Sequence, residues 1–142
     1  MHIAARSLAL ALLVSPIASA DVLTVDPAGG ADFTSVSDAI GQAVNGDGVL
    51  LRSGTYPQGH VTIFSKGITI AAEPAAQVDL GTLEVFVVPE GSSFYCLNIN
   101  VDRLRVGGCE GSVRFEGCIL RDARTYDCSN SIFVRCQLLG RD

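Results

Sequence analysis

Cys96, Cys109, Cys118, Cys128 and Cys136 are the side chains whose type and clustering first suggest chemistry, and all five fall in the C-terminal half of the 142-residue chain. Thiols at such density offer three chemistries: cross-linking, metal binding and nucleophilic attack. No two of them have the two-residue gap of a zinc knuckle, which argues against a metal centre. A thiol nucleophile needs a base within reach. His60 is the only histidine beyond residue 20, and it lies far back in the sequence. Burial as small apolar side chains is therefore the leading expectation, with disulfides as its rival. Five is odd, so at least one thiol stays free or pairs with another chain.

The second chemically capable set is charged. Arg103, Arg105, Arg114, Arg121, Arg124, Arg135 and Arg141 crowd the last third, interleaved with Asp102, Glu116 and Asp122. A solvated face accounts for them most simply, and an anion-binding stripe is the alternative. Asp26, Asp32 and Asp47 sit beside glycines but lack the alternating spacing of an acidic calcium loop, so turns and caps explain them better.

Positioning these residues requires a scaffold, and the chain supplies one after an export signal. Residues 1–20 combine Arg6, an apolar run from Leu8 to Val14 and the small-x-small site Ala18-Ser19-Ala20. The apolar run is shorter than the roughly 20 residues a bilayer span requires, and later apolar runs are broken by charges and glycines. The expectation is a secreted, periplasmic or cell-surface protein with no membrane span, its mature part being residues 21–142. Removing Arg6 takes the formal net charge from −5 to −6, which argues against a nucleic-acid partner, since phosphate binding needs a basic face.

The mature chain opens with a β-rich run, Val22 to Val25, stopped by Asp26-Pro27-Ala28-Gly29-Gly30. The period then changes. Thr34 is the expected N-cap of a helix whose Val36, Ala39, Ile40 and Ala43 share one face, with Asp38 near its positive end. Asn45-Gly46-Asp47-Gly48 ends that helix and returns the chain to Val49-Leu50-Leu51-Arg52 and Ser53-Gly54-Thr55-Tyr56-Pro57.

This order, followed by Val61-Thr62-Ile63 and Lys66-Gly67-Ile68-Thr69-Ile70, resembles the opening of pectin methylesterases and other right-handed parallel β-helix proteins, from about Val22 to Glu73. The resemblance implies an all-β solenoid, a right-handed single-stranded parallel β-helix whose N-terminal helix plugs the open end. The cap is expected over 21–48 and the rungs over 49–142. Tyr56 and His60 are near enough to the first rung to stack on a sugar ring, although packing at the cap is the stronger expectation for Tyr56.

Beyond the cap, short β runs alternate with Gly, Asn, Asp and Ser. Phe94-x-x-Leu97-x-Ile99, Phe115-x-x-Cys118-x-Leu120 and Phe133-x-x-Cys136-x-Leu138 share one pattern, offset by 21 and then 18 residues. A period near 20 marks stacked coils. Phe94, Phe115 and Phe133 are expected to form an interior stack, Leu97, Cys118 and Cys136 a neighbouring ladder, and Cys109 with Cys128 a second ladder. If disulfides form, Cys109 with Cys128 and Cys118 with Cys136 are the best pairs. About four or five rungs fit, and the sequence stops after a repeat strand. A fragment of a longer protein is one reading, end-to-end self-association through that rung the other.

The catalytic motifs of pectin methylesterases, Gln-Asp-Thr-Leu and Asp-Phe-Ile-Phe-Gly, do not occur, so no catalytic residue carries over. Similar lyases hold calcium with clustered carboxylates and use an arginine base. Asp102, Arg103, Arg105, Glu116, Arg121, Asp122 and Arg124 supply those residue types. The sequence therefore identifies no catalytic residue, cofactor or metal ligand. It points to an exported, non-catalytic β-helix scaffold for surface or glycan binding, with polysaccharide as partner. The alternative is a fragment of a polysaccharide-acting enzyme of esterase or lyase type.

Overall fold

A computed structural model describes residues 20–140, so the signal-like segment lies outside the described residues, as does Arg141. The strands are β1 (Val22–Val25), β2 (Gly48–Leu51), β3 (Gly54–Phe64), β4 (Thr69–Ala72), β5 (Val78–Phe86), β6 (Ser93–Leu97), β7 (Asn100–Gly107), β8 (Ser112–Glu116), β9 (Ile119–Tyr126), β10 (Ser131–Val134) and β11 (Gln137–Leu138), with one helix, α1 (Val36–Gln42). Even-numbered strands stack above β1 in one sheet, in the order β1-β2-β4-β6-β8-β10. The odd-numbered strands from β3 form the other, β11-β9-β7-β5-β3. Every pairing between strands is parallel. The chain is thus a parallel β-solenoid, in which β2 with β3, β4 with β5, β6 with β7 and β8 with β9 are the full coils and β10 with β11 a shorter one.

Alternation decides what faces inward. In β5, Val78, Leu80, Leu83 and Val85 are buried while Gly81 and Thr82 interrupt the period. β7 repeats the break at Asp102-Arg103. Two successive outward residues cannot sit on a straight pleat, so each long strand bends there into two arms. The paired register also skips the bend, running from Leu80↔Val101 directly to Thr82↔Arg103. In β3 the same place holds a bulge between Tyr56 and His60.

The corners are set by single residues with positive φ. Ser65, Val87, Gly108 and Asp127 (φ 56°, 58°, 62° and 51°) occupy one corner of successive coils; Asn98, Gly117 and Arg135 (φ 58°, 65° and 49°) occupy another. Their amides extend the ladder around the bend: Val87 N donates to Gly107 O at 3.0 Å and Gly117 N to Val134 O at 3.0 Å. At Gly117, with φ 65°, a Cβ would be strained and would lie 2.2 Å from Asn98 Oδ1, so a side chain there requires the Asn98 amide to move.

The helix plugs the end as its apolar stripe requires, with Val36, Ala39, Ile40 and Ala43 buried. Its N-cap is Ser35, one residue beyond the expected Thr34: Ser35 Oγ accepts from Asp38 N at 3.4 Å, which fixes where the first turn begins. At the other end Lys66 Nζ donates to Ile40 O (2.8 Å) and Ala43 O (2.9 Å), satisfying terminal carbonyls with a cation. Asp47 ties the cap to the residue before β1, its Oδ2 accepting from Val44 N at 2.9 Å and its Oδ1 from Asp21 N at 3.0 Å. Those backbone bonds, Val44 first, hold its carboxyl below the usual range. Asp26 accepts from Ala28 N, and Asp32 from Thr24, so all three aspartates build turns and caps.

Phe94, Phe115 and Phe133 do stack, with centroids 5.8 Å and 5.3 Å apart. Their register differs from the letter pattern. Phe133 lies over Phe115, but Phe94 lies under Val113 and Cys96 under Phe115, a slip of two residues. Consequently Leu97 faces Glu116 and is not in the thiol ladder. The corner residues instead equate Ile99 with Cys118 and Cys136.

Candidate functional site

The outward face of the arm that runs from the bend to the end of β3, β5, β7 and β9 brings together the residues best suited to recognition. Register stacks them in three columns: His60, Thr82, Arg103 and Asp122; then Thr62, Glu84, Arg105 and Arg124; then Phe64, Phe86, Gly107 and Tyr126. Residues in a column follow one another at about 4.8 Å, and columns are two residues apart along each strand.

Asp122 organises the charged part. Arg105 Nη2 lies 2.9 Å from its carboxylate, Arg124 Nε 3.6 Å and Arg103 Nε 4.0 Å. Arg105 is also anchored by Nη1 donating to Leu104 O at 2.8 Å and Asp122 O at 3.1 Å. At the bend, Arg121 pairs with Asp102 at 3.3 Å, both well exposed. Four arginines thus share two aspartates on a chain whose net charge is −5. Thr82, Asp102, Arg103, Arg121 and Asp122 line an open cleft of about 700 Å³ along the bend, together with Leu138 and Leu139. Toward the cap the face turns acidic, with His60 Nε2 3.0 Å from Glu84 and Thr62 donating to Glu84 at 3.5 Å.

The aromatic column is the part that sequence reasoning missed. Phe64 is 61% exposed and Tyr126 49%, with Phe86 half-buried between them. Tyr126 leans across Gly107, where a Cβ would lie 2.2 Å from its ring, and its centroid comes to 6.3 Å from that of Phe86. Gly107 therefore acts as the gap that lets two rings from coils that are not adjacent meet. An aromatic residue at the end of a β run, at Phe64, Phe86 and Tyr126, was the available signal.

Tyr56 is not on this surface. It is buried, its hydroxyl donating to Arg52 O (2.7 Å) and lying 3.2 Å from Val25 O, and burial, with Asp26 and Glu73 nearby, pushes its pKa up to about 12. Arg114, Glu116 and Arg135 lie elsewhere: Arg114 Nη2 is 3.4 Å from Glu116, and Arg135 closes on the same carboxylate. Glu116 is held below the usual range, by the Arg135 hydrogen bond above all. The lyase-type residue set is thus split between two surfaces.

The cysteines are inside. Cys96, Cys109 and Cys118 are buried and Cys128 and Cys136 half-buried, all five as thiols. Among the described residues no group of three or more His, Cys, Asp or Glu side chains is arranged to hold a metal ion, and no helix is long and apolar enough to cross a membrane. In chemical terms the columned face can pair with anions and stack on flat apolar rings. Asp122, ringed by guanidiniums, is placed to orient arginines rather than to abstract a proton. Comparison with protein families, curated proteins and solved structures gave no match to this chain.

Proposed function

We propose that the protein is an exported, non-catalytic β-solenoid that binds acidic polysaccharide along the columned face of β3, β5, β7 and β9. The observation that carries this reading is the aromatic column lying directly beside the arginine column. Sugar rings present apolar C–H faces that stack on aromatic rings, and a uronate carboxylate offers the planar oxygen pair that a guanidinium matches. The two columns run side by side along the solenoid axis, with rings at Phe64, Phe86 and Tyr126 and guanidiniums at Arg105 and Arg124, and they come together at Arg124 and Tyr126 on β9, so an extended polymer lying along the axis meets both kinds of group. The signal-like first 20 residues and the resemblance of the cap to pectin-active β-helix proteins support the same reading from sequence.

Titration calorimetry of the protein with polygalacturonate, with fully methyl-esterified pectin as the uncharged control, tests it. Saturable binding to the acidic polymer is expected. Tyr126→Ala and Arg124→Ala should each weaken it at least several-fold, because a desolvated stacking or charge-assisted contact is worth about 1–2 kcal/mol. Equal binding of both polymers, or none, would refute the proposal. Release of methanol or of unsaturated product would replace the binding reading with the enzymatic one.

A further inference from the structure

The five thiols are not scattered through the core. Cys109 and Cys128 each follow a positive-φ corner residue, Gly108 and Asp127, and Cys118 and Cys136 each follow another, Gly117 and Arg135. Register brackets the second pair on both sides: Glu116 lies under Val134 and Ile119 under Gln137. For the first, Gly107 lies under Tyr126. Each pair thus occupies the same place in adjacent coils, where strand spacing of about 4.8 Å falls within the Cα range of about 4.4–6.8 Å that a disulfide tolerates. Both sulfurs lean toward the preceding coil, which brings Cys136 toward the coil of Cys118, while Cys118 must turn from Cys96 to meet it. Cys118 Sγ is 3.4 Å from Cys96 O, and Cys136 Sγ is 3.4 Å from Phe115 O, the equivalent carbonyl one coil on.

We propose that Cys109 with Cys128 and Cys118 with Cys136 are two cystine sites, which together fasten the coil of β10 and β11 to the coil of β8 and β9. In each pair one thiol is buried and the other half-buried. The half-buried member, as thiolate, attacks an external disulfide of protein or low molecular weight, giving a mixed disulfide and releasing one external thiol. The buried partner, its proton passing to water, then attacks the sulfur of the half-buried cysteine. The intramolecular S–S bond forms and the second external thiol leaves, so two electrons per cystine pass to the oxidant. Cys118 suits that second step. The Cys96 thiol, whose sulfur lies 3.9 Å away, brings its pKa down to about 7 against the effect of burial. The same contact, with burial, raises Cys96 well above its ordinary value. Cys96 lies under Phe115, on the strand before the corner rather than beneath another cysteine, and it is the thiol left over from an odd set.

In the coil being fastened the inward-facing residues are less covered than in the coil beneath: Phe133 is half-buried and Leu138 64% exposed, where their register partners Phe115 and Leu120 are fully buried. Cross-links there should therefore change its opening more than that of any other coil. The test equilibrates the folded full chain in glutathione buffers of increasing oxidation, quenches in acid, alkylates, and maps the peptides by mass. Expected is a product about 4 Da lighter, one hydrogen per cysteine joined, with links 109–128 and 118–136 and alkylation at Cys96 alone. Amide exchange over β10 and β11 should slow at least tenfold on oxidation. Cys96→Ser should keep both links. Five alkylated thiols at every poise, or a cystine containing Cys96, would overturn the assignment; correct links with unchanged exchange would overturn the fastening.

Discussion

Truncation of Phe115 to alanine gives the sharpest reading of how the coils are held together. Phe115 is fully buried, its ring stacked on Phe133 at 5.3 Å and 9° and tilted against Phe94 at 5.8 Å. Removing a buried phenylalanine costs about 3–5 kcal/mol. Two considerations place this site toward the upper end. Both ring neighbours lose an aromatic partner, each pair being worth about 0.5–1.5 kcal/mol beyond burial. The walls of the cavity are hydrogen-bonded strands whose spacing cannot shrink, so the space collapses little. A loss of about 4 kcal/mol, at an m-value of about 2 kcal/mol/M, lowers the urea midpoint by about 2 M. Far-ultraviolet circular dichroism across a urea series reads it directly. Phe133→Ala is the internal comparison, since Phe133 is only partly buried and keeps one ring neighbour; about half the loss is expected. A fall for Phe115→Ala below about 1 kcal/mol, or one no larger than for Phe133→Ala, would refute the stack as the core of these coils.

Gly107→Ala should cost little stability, because the clashing atoms belong to the exposed Tyr126 ring, which can swing aside. Polygalacturonate affinity should nevertheless fall as the Tyr126–Phe86 contact opens, and calorimetry on a variant of unchanged urea midpoint separates the two. Val87 holds a β-branched side chain at φ 58° while 43% exposed; Val87→Asn, better suited to that conformation, should raise stability by about 0.5–1 kcal/mol in the same urea assay. Asp32, Asp47 and Glu116 have carboxyls held below their usual range. Groups whose folded pKa is depressed stabilise the fold above the unfolded value, and that stability is lost as pH falls through the folded one. The urea midpoint should therefore be flat near neutrality and drop below about pH 4. Asp47→Ala should lower the midpoint at pH 7 and differ less from the parent at pH 3.

The scaffold was legible because its parts break local periods in ways only one architecture satisfies. A single apolar stripe at Val36, Ala39, Ile40 and Ala43, flanked by β runs, had to cover an open end. The Phe-x-x-Cys-x-Leu repeat had to stack. The register was harder. Positions two apart in a strand face the same way, so matching Phe94 to Phe115 satisfies every polarity rule while being two residues out of place. What fixes the register is a backbone conformation at Asn98, Gly117 and Arg135, and these three share no letter. The same difficulty hid the aromatic column. Phe64, Phe86 and Tyr126 are unevenly spaced because the coils shorten along the chain, and Gly107 leaves a blank where a repeat would put a fourth ring. The charged residues were found by type, but only the fold shows Asp122 gathering Arg103, Arg105 and Arg124 while Arg114 and Arg135 converge on Glu116 elsewhere.

Coil length varies without disturbing the stack. Thr69 lies beneath Tyr95, 26 residues on, whereas Val113 lies beneath Ser131, only 18 on. The difference resides in connections such as residues 73–77 and 87–92, while the two-residue corners at 98–99, 117–118 and 135–136 stay the same length. The chain is thus divided into segments that keep time and segments that are free to be rewritten. Foreign peptides spliced into the longer connections would be displayed at fixed heights along the axis, which makes the solenoid a ruler on which new contacts can be placed without resetting the spacing of the old.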